Sequence, residues 1–176
     1  MARVSTKGRD YSAWGPARAK SVTWHDPLVT ARHGADMSGL EFLQAIRDGR
    51  FPPPPIAAVL HFTLVEVEVG EVHFECVPDE SVYNPIGAVH GGLVCTLADT
   101  VTACAVHSTL APGAAYTSID LSVSYLRPVT AESGVLHAVG RVTKAGRRVG
   151  FAEARITDGA QRLVATASTS CLIFER

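Results

Sequence analysis

The stretch 84–99, NPIGAVHGGLVCTLAD, sets an asparagine, a His-Gly-Gly step and a carboxylate among turn-forming and apolar residues. Gly91 and Gly92 leave backbone N–H groups sterically open at a helix start, where the positive end of the dipole adds to them. Such donors stabilise the charge that gathers on a carbonyl oxygen during acyl transfer. Asp99 then interrupts the apolar run. An enclosed, unpaired carboxylate costs several kcal/mol or takes up a proton, so Asp99 calls for a partner, water or a cavity. The plainer readings are a turn that needs glycine for its dihedrals and an aspartate bonded to backbone or to a nearby serine.

Gly91 and Asp99 are eight residues apart, which is about 12 Å along a helix axis. Groups acting on one carbonyl must each come within about 3 to 3.5 Å of it. One helix therefore cannot supply both. If the two act together, the aspartate comes from a second copy, and two antiparallel helices in a two-fold dimer oppose Gly91 of one chain to Asp99 of the other.

The elements that must carry these residues follow from periodicity. Leu93, Leu97, Val101 and Cys104 recur at helical spacing from Gly91 on, with small or apolar residues on the remaining faces, so the helix reads as enclosed. Ala111-Pro112-Gly113 is expected to end it. Upstream, Ser38 and Glu41 form a capping box before Leu40, Leu43 and Ile46, which predicts one short amphipathic helix. Pro52 to Pro55 read as an extended spacer. From Ile56 period two takes over, with Val65, Val67 and Val69 on one face, a tight turn at Gly70, and Val72, Phe74 and Cys76 after it. A further strand sets Ile119, Leu121, Val123 and Tyr125 on one face and Ser118, Asp120, Ser122 and Ser124 on the other. Three more strands fall near 134–143, 148–157 and 162–174, and every strand link but the one holding the helix is short enough for antiparallel neighbours. The economical packing is an antiparallel sheet of about six strands wrapped around one long helix, an α+β domain over residues 35–176. Residues 1–34 form a partly flexible extension whose first twenty residues carry five Lys or Arg against one Asp.

Composition narrows the function classes. Sixteen basic against seventeen acidic residues produce no field for nucleic acid. The span 91–110 is broken by Asp99 and His107, which argues against membrane insertion. Cys76, Cys95, Cys104 and Cys171 show no CxxC pairing and suit reduced thiols in a cytoplasmic protein. His61, His73 and His107 have no second ligand at metal spacing, so no metal is expected.

Asn84, His90-Gly91-Gly92 and Asp99, followed by the Ser-Ile-Asp-Leu strand and Arg127-Pro128, resemble the PaaI-like hot-dog fold acyl-CoA thioesterases over about residues 36–174. The resemblance implies hydrolysis of an acyl-CoA thioester to a free acid and coenzyme A by a homodimer, assembled as a dimer of dimers. No cofactor is implied, because coenzyme A is part of the substrate. It implies that Asp99 is the general base or the nucleophile, and that the Gly91 N–H and Asn84 polarise the thioester beside Gly92. His90 then contacts the thioester or supports Asn84, and Ser118, or Thr117 in its place, holds the water. Arg127, Lys144, Arg147 and Arg148 could meet the phosphates of coenzyme A, although a solvated basic hairpin explains the last three equally well. Two other readings stay open: a hot-dog hydratase or dehydratase of acyl thioesters, and a non-catalytic acyl-CoA binding protein.

Overall fold

The computed structural model describes residues 10–175, so the first nine residues of the 1–34 extension lie outside the described residues. Four helices, α1 (Pro27–His33), α2 (Gly39–Arg47), α3 (Pro55–Leu60) and α4 (Gly91–His107), accompany six strands. These are β1 (Phe62–Glu68), β2 (Glu71–Cys76), β3 (Ala114–Tyr125), β4 (Leu136–Ala145), β5 (Val149–Thr157) and β6 (Leu163–Glu175). They form one antiparallel sheet in the order β1-β2-β4-β5-β6-β3, and α4 packs on one face of it, the sheet-and-helix architecture expected.

The core is the meeting of α4 with that face. Leu93, Leu97, Val101 and Ala105 are buried against Val72, Phe74, Leu136, Ala138, Ile156 and Val164. The helix comes so close to β4 that a Cβ at Gly140 would stand 2.2 Å from the Val101 carbonyl oxygen. Neither backbone can yield cheaply there. Gly140→Ala is accordingly expected to cost about 1–3 kcal/mol or more, read as a fall in the urea midpoint at unchanged slope.

Several expectations are corrected. Helix α4 stops at His107 rather than at Ala111-Pro112-Gly113, because Ser108 and Thr109 turn their hydroxyls back onto the Ala105 and Val106 carbonyls and end the ladder early. Pro55 does not extend a spacer but opens α3, where its missing N–H is no loss, and the strand begins only at Phe62. A bulge between Leu64 and Glu66 breaks the Val65-Val67-Val69 face: Phe62, Leu64 and Val67 point into the core, while Val65 and Val69 are exposed. A second bulge, between Ser118 and Asp120, breaks β3 in the same way; Leu121 and Val123 pack on the core while Ile119 is exposed, and Tyr125 keeps the face of Leu121 and Val123 but is exposed at the strand's end. The link between β3 and β4 is not a hairpin, because β4 already has β2 and β5 on its two edges, and β3 closes the sheet beside β6.

Residues 10–38 are more structured than their composition suggests. Asp26 caps α1 by accepting from the Leu28 N–H, Lys20 binds Asp79 at 3.0 Å and also Ser81, and Arg18 pairs with Glu80. Among the described residues, no helix is long and apolar enough to cross a membrane.

Candidate active site

The start of α4 is built by its own side chains. His90 is the N-cap: its Nδ1 accepts the Gly92 N–H at 2.8 Å, which puts a neutral ring's proton on Nε2. Its carbonyl accepts the Leu93 N–H. A Cβ at Gly92 would stand 2.8 Å from that Nδ1, so the second glycine is required by the cap. The Gly91 N–H has no acceptor among the described residues, as an anion-binding donor should not. The Gly91 carbonyl accepts from the Tyr125 hydroxyl at 3.1 Å, and the Tyr125 ring lies 3.3 Å from where a Gly91 Cβ would be. Sequence reasoning put Tyr125 on an apolar strand face and missed this contact; its place at the end of an edge strand was the available signal.

Asn84 holds the loop before the helix. Its carboxamide oxygen accepts from the Ile86 and Ala88 N–H groups at 3.1 and 3.2 Å, which leaves its NH2 as the outward donor. The His90 side chain bonds Gly92 and not Asn84.

Asp99 sits at the middle of α4, on a stripe that the sheet meets only at its β3 edge. Gly92, Cys95, Thr96, Asp99, Thr100 and Cys104 are all half-buried or exposed. The expectation of an enclosed helix is thus corrected: among the described residues, the stripe of small and hydroxylated residues is covered only in part. Ser118 Oγ donates to Asp99 Oδ1 at 2.9 Å. The bulge of β3 is what allows it. Strict alternation from Leu121 would turn Ser118 away from the helix, and the extra residue at Ile119 turns it back. Thr117 is exposed and reaches only the Ser118 carbonyl.

Two thiols near Asp99, those of Cys104 and Cys171, stay protonated. Burial, reinforced by the Asp99 charge, pushes Cys104 up to about 12, and burial raises Cys171 as well. No thiolate from either competes with the carboxylate as base or nucleophile at neutral pH. Next to Asp99 in sequence, Thr100 lines, with Cys104, a cavity of about 530 Å³ whose other walls are Leu43 and Ile46 of α2, Ala57 of α3, and Phe62, Leu64 and Phe74 of the sheet.

The four basic residues do not share one place within a chain. Arg127 follows β3 at the Gly91 end, where its guanidinium donates to the Leu163 carbonyl. Lys144, Arg147 and Arg148 are exposed at the β4–β5 turn, beside Leu172 and Ile173 of β6. Nine residues of β6 separate the two groups, about 30 Å.

A family model of the thioesterase superfamily matches residues 86–165, the span that runs from the loop before α4 into β6. Acyl-coenzyme A thioesterase 13 of Homo sapiens is 32% identical over 98 residues, 56% of this chain and 69% of its own. The chain belongs to the thioesterase superfamily. Its fold is the hot-dog fold of PaaI-type thioester hydrolases. A phenylacetic acid degradation-related protein from Ralstonia eutropha JMP134 superposes with a TM-score of 0.68 at 31% identity, covering 74% of this chain and 98% of that one. The PaaI protein of E. coli gives a TM-score of 0.68 at 22% identity over 78% and 96% of the two chains, a likeness of fold. Within this superfamily member, α4 and β3 therefore carry the candidate chemistry, and α2 and α3 close the cavity beside it.

Proposed function

We propose that this thioesterase-superfamily chain hydrolyses acyl-coenzyme A thioesters as a two-fold dimer. The observation that carries the proposal is the Asp99 carboxylate, held by Ser118 at 2.9 Å on a stripe of α4 that the described residues leave partly open. Asp99 of one chain, as general base on water or as nucleophile, acts on a carbonyl polarised by the Gly91 N–H of the second copy. The second α4, running antiparallel, covers the stripe, and the outer edge of β3 is free to pair with its symmetry mate. Asn84 orients the thioester through its NH2, and His90 acts indirectly by fixing the first turn of α4. The acyl group occupies the 530 Å³ cavity past Thr100 and Cys104. An antiparallel dimer also reverses the ends of the two sheets, which carries Arg127 of one chain toward the Lys144–Arg148 turn of the other and lets both meet the phosphates of one coenzyme A. The reaction as proposed needs no cofactor and no metal.

A panel of acyl-coenzyme A esters with free-thiol detection tests the activity; release of thiol is expected, and absence of release from every ester overturns it. Enoyl esters followed by double-bond absorbance in the same panel separate hydrolysis from hydration. For the shared site, Asp99→Ala and Gly91→Pro chains are each expected to be inactive alone. Co-assembled, they recover about a quarter of wild-type activity per chain, because half of the random dimers then hold one intact site of two. A mixture as inactive as its components would place both groups in one chain.

A further inference from the structure

On the opposite face of the sheet from α4, three side chains that the thioesterase reading does not use come together. In β2 the residues Val72, Phe74 and Cys76 point to the core, so His73 and Glu75 point outward. His137 of β4 stands directly across from Glu75. One ligand atom from each of His73, Glu75 and His137 lies within 4.8 Å of the others, the His137 Nδ1 being 3.4 Å from Glu75 Oε1 and the two imidazole rings 5.6 Å apart. A second observation is independent of that spacing: the His73 Nε2 is shut off from solvent and has no hydrogen-bond partner. A buried polar atom left unpaired is destabilising unless something satisfies it.

We propose that His73, Glu75 and His137 form a binding site for a divalent transition-metal ion of the zinc class, which ties β2 to β4 on the outer face of the sheet. Two imidazoles and one carboxylate are a standard donor set for Zn²⁺, with a water completing four-coordination. Bonds of about 2.0–2.1 Å in a tetrahedron require ligand atoms roughly 3.3 Å apart. Rotation of Glu75 and His137, whose side chains keep 41% and 26% of their exposure, closes the difference and admits the ion from solvent. The surroundings favour a cation. Glu66 on β1 stands across from His73 on the same face; of the cations on that face, Arg141 is already held by both carboxylate oxygens of Glu71 at 2.8 and 2.9 Å, and Arg155 of β5 stands one strand further out, across from Val139. Spacing along the chain does not reveal this group, because the third side chain arrives across a strand pair from a different element.

Equilibrium dialysis of the full chain against ZnCl2, with metal analysis, tests the site. One Zn²⁺ per chain is expected at micromolar free metal, with affinity falling at least ~10-fold in His137→Ala and in Glu75→Gln, and unchanged in His61→Ala. The melting temperature should rise with ZnCl2 in the wild type and not in His137→Ala, and Co²⁺ in place of Zn²⁺ should develop the visible absorption of a four-coordinate site. A wild-type chain that takes up no Zn²⁺, or His137→Ala and Glu75→Gln chains that bind it as the wild type does, would overturn the assignment.

Discussion

Asp99→Asn is expected to lower kcat by ~10²–10⁴-fold while leaving KM and the fold nearly unchanged. The substitution keeps the shape of the side chain and an oxygen that can accept from Ser118 Oγ, now at 2.9 Å from Oδ1. What it removes is the negative charge and the basic lone pair. Cys104 and Cys171, whose thiols burial holds protonated, cannot take over. Because Asp99 is half-buried on a partly open stripe, its loss should move the melting temperature by only a few degrees. Asp99→Ala should be at least as inactive. Turnover by the asparagine variant at the wild-type rate would remove Asp99 from the chemistry. A single-turnover reaction in ¹⁸O water then identifies a nucleophilic route by label in the Asp99 carboxylate, which arises only when an anhydride is opened at the aspartyl carbonyl and which a general base never acquires.

Gly91→Pro should lower kcat/KM by ~10²–10³-fold, the cost of deleting one preorganised oxyanion donor. The substitution suits the backbone. Position 91 is the first of the helix, where proline is tolerated, and His90 already has φ −61° and ψ 132°, the extended conformation that proline demands of its predecessor. The one N–H lost is the one without an acceptor, so stability should hold while activity falls. Gly91→Ala keeps that N–H, and its Cβ presses the Tyr125 ring at 3.3 Å; its expected loss is far smaller. Equal losses in the two variants would show that crowding against Tyr125, rather than the amide, governs the rate.

The two predictions meet in one geometric fact. Asp99 and Gly91 stand two turns apart on a single helix, and an acyl transfer that uses both needs two helices. That argument was available from residue spacing, and the partly open stripe of α4 is the surface such a partner would cover.

What could be read from residues alone were features decided locally. The capping box of Ser38 and Glu41 forms as its spacing requires, the His-Gly-Gly step starts α4, and six alternating stretches became six strands, because caps, turns and period-two burial depend on neighbours a few residues away. Tertiary structure decided whatever turned on a partner distant in sequence. Two bulges reassigned the faces of β1 and β3, and one of them turned Ser118 onto Asp99, since a single extra residue flips every side chain beyond it. The place of β3 beside β6 followed from which strand edges were already occupied. The neighbours of Gly140, the hydroxyl of Tyr125 on Gly91, and the approach of His137 to His73 and Glu75 were set in the same way, by packing between elements far apart in the chain, which no local pattern encodes.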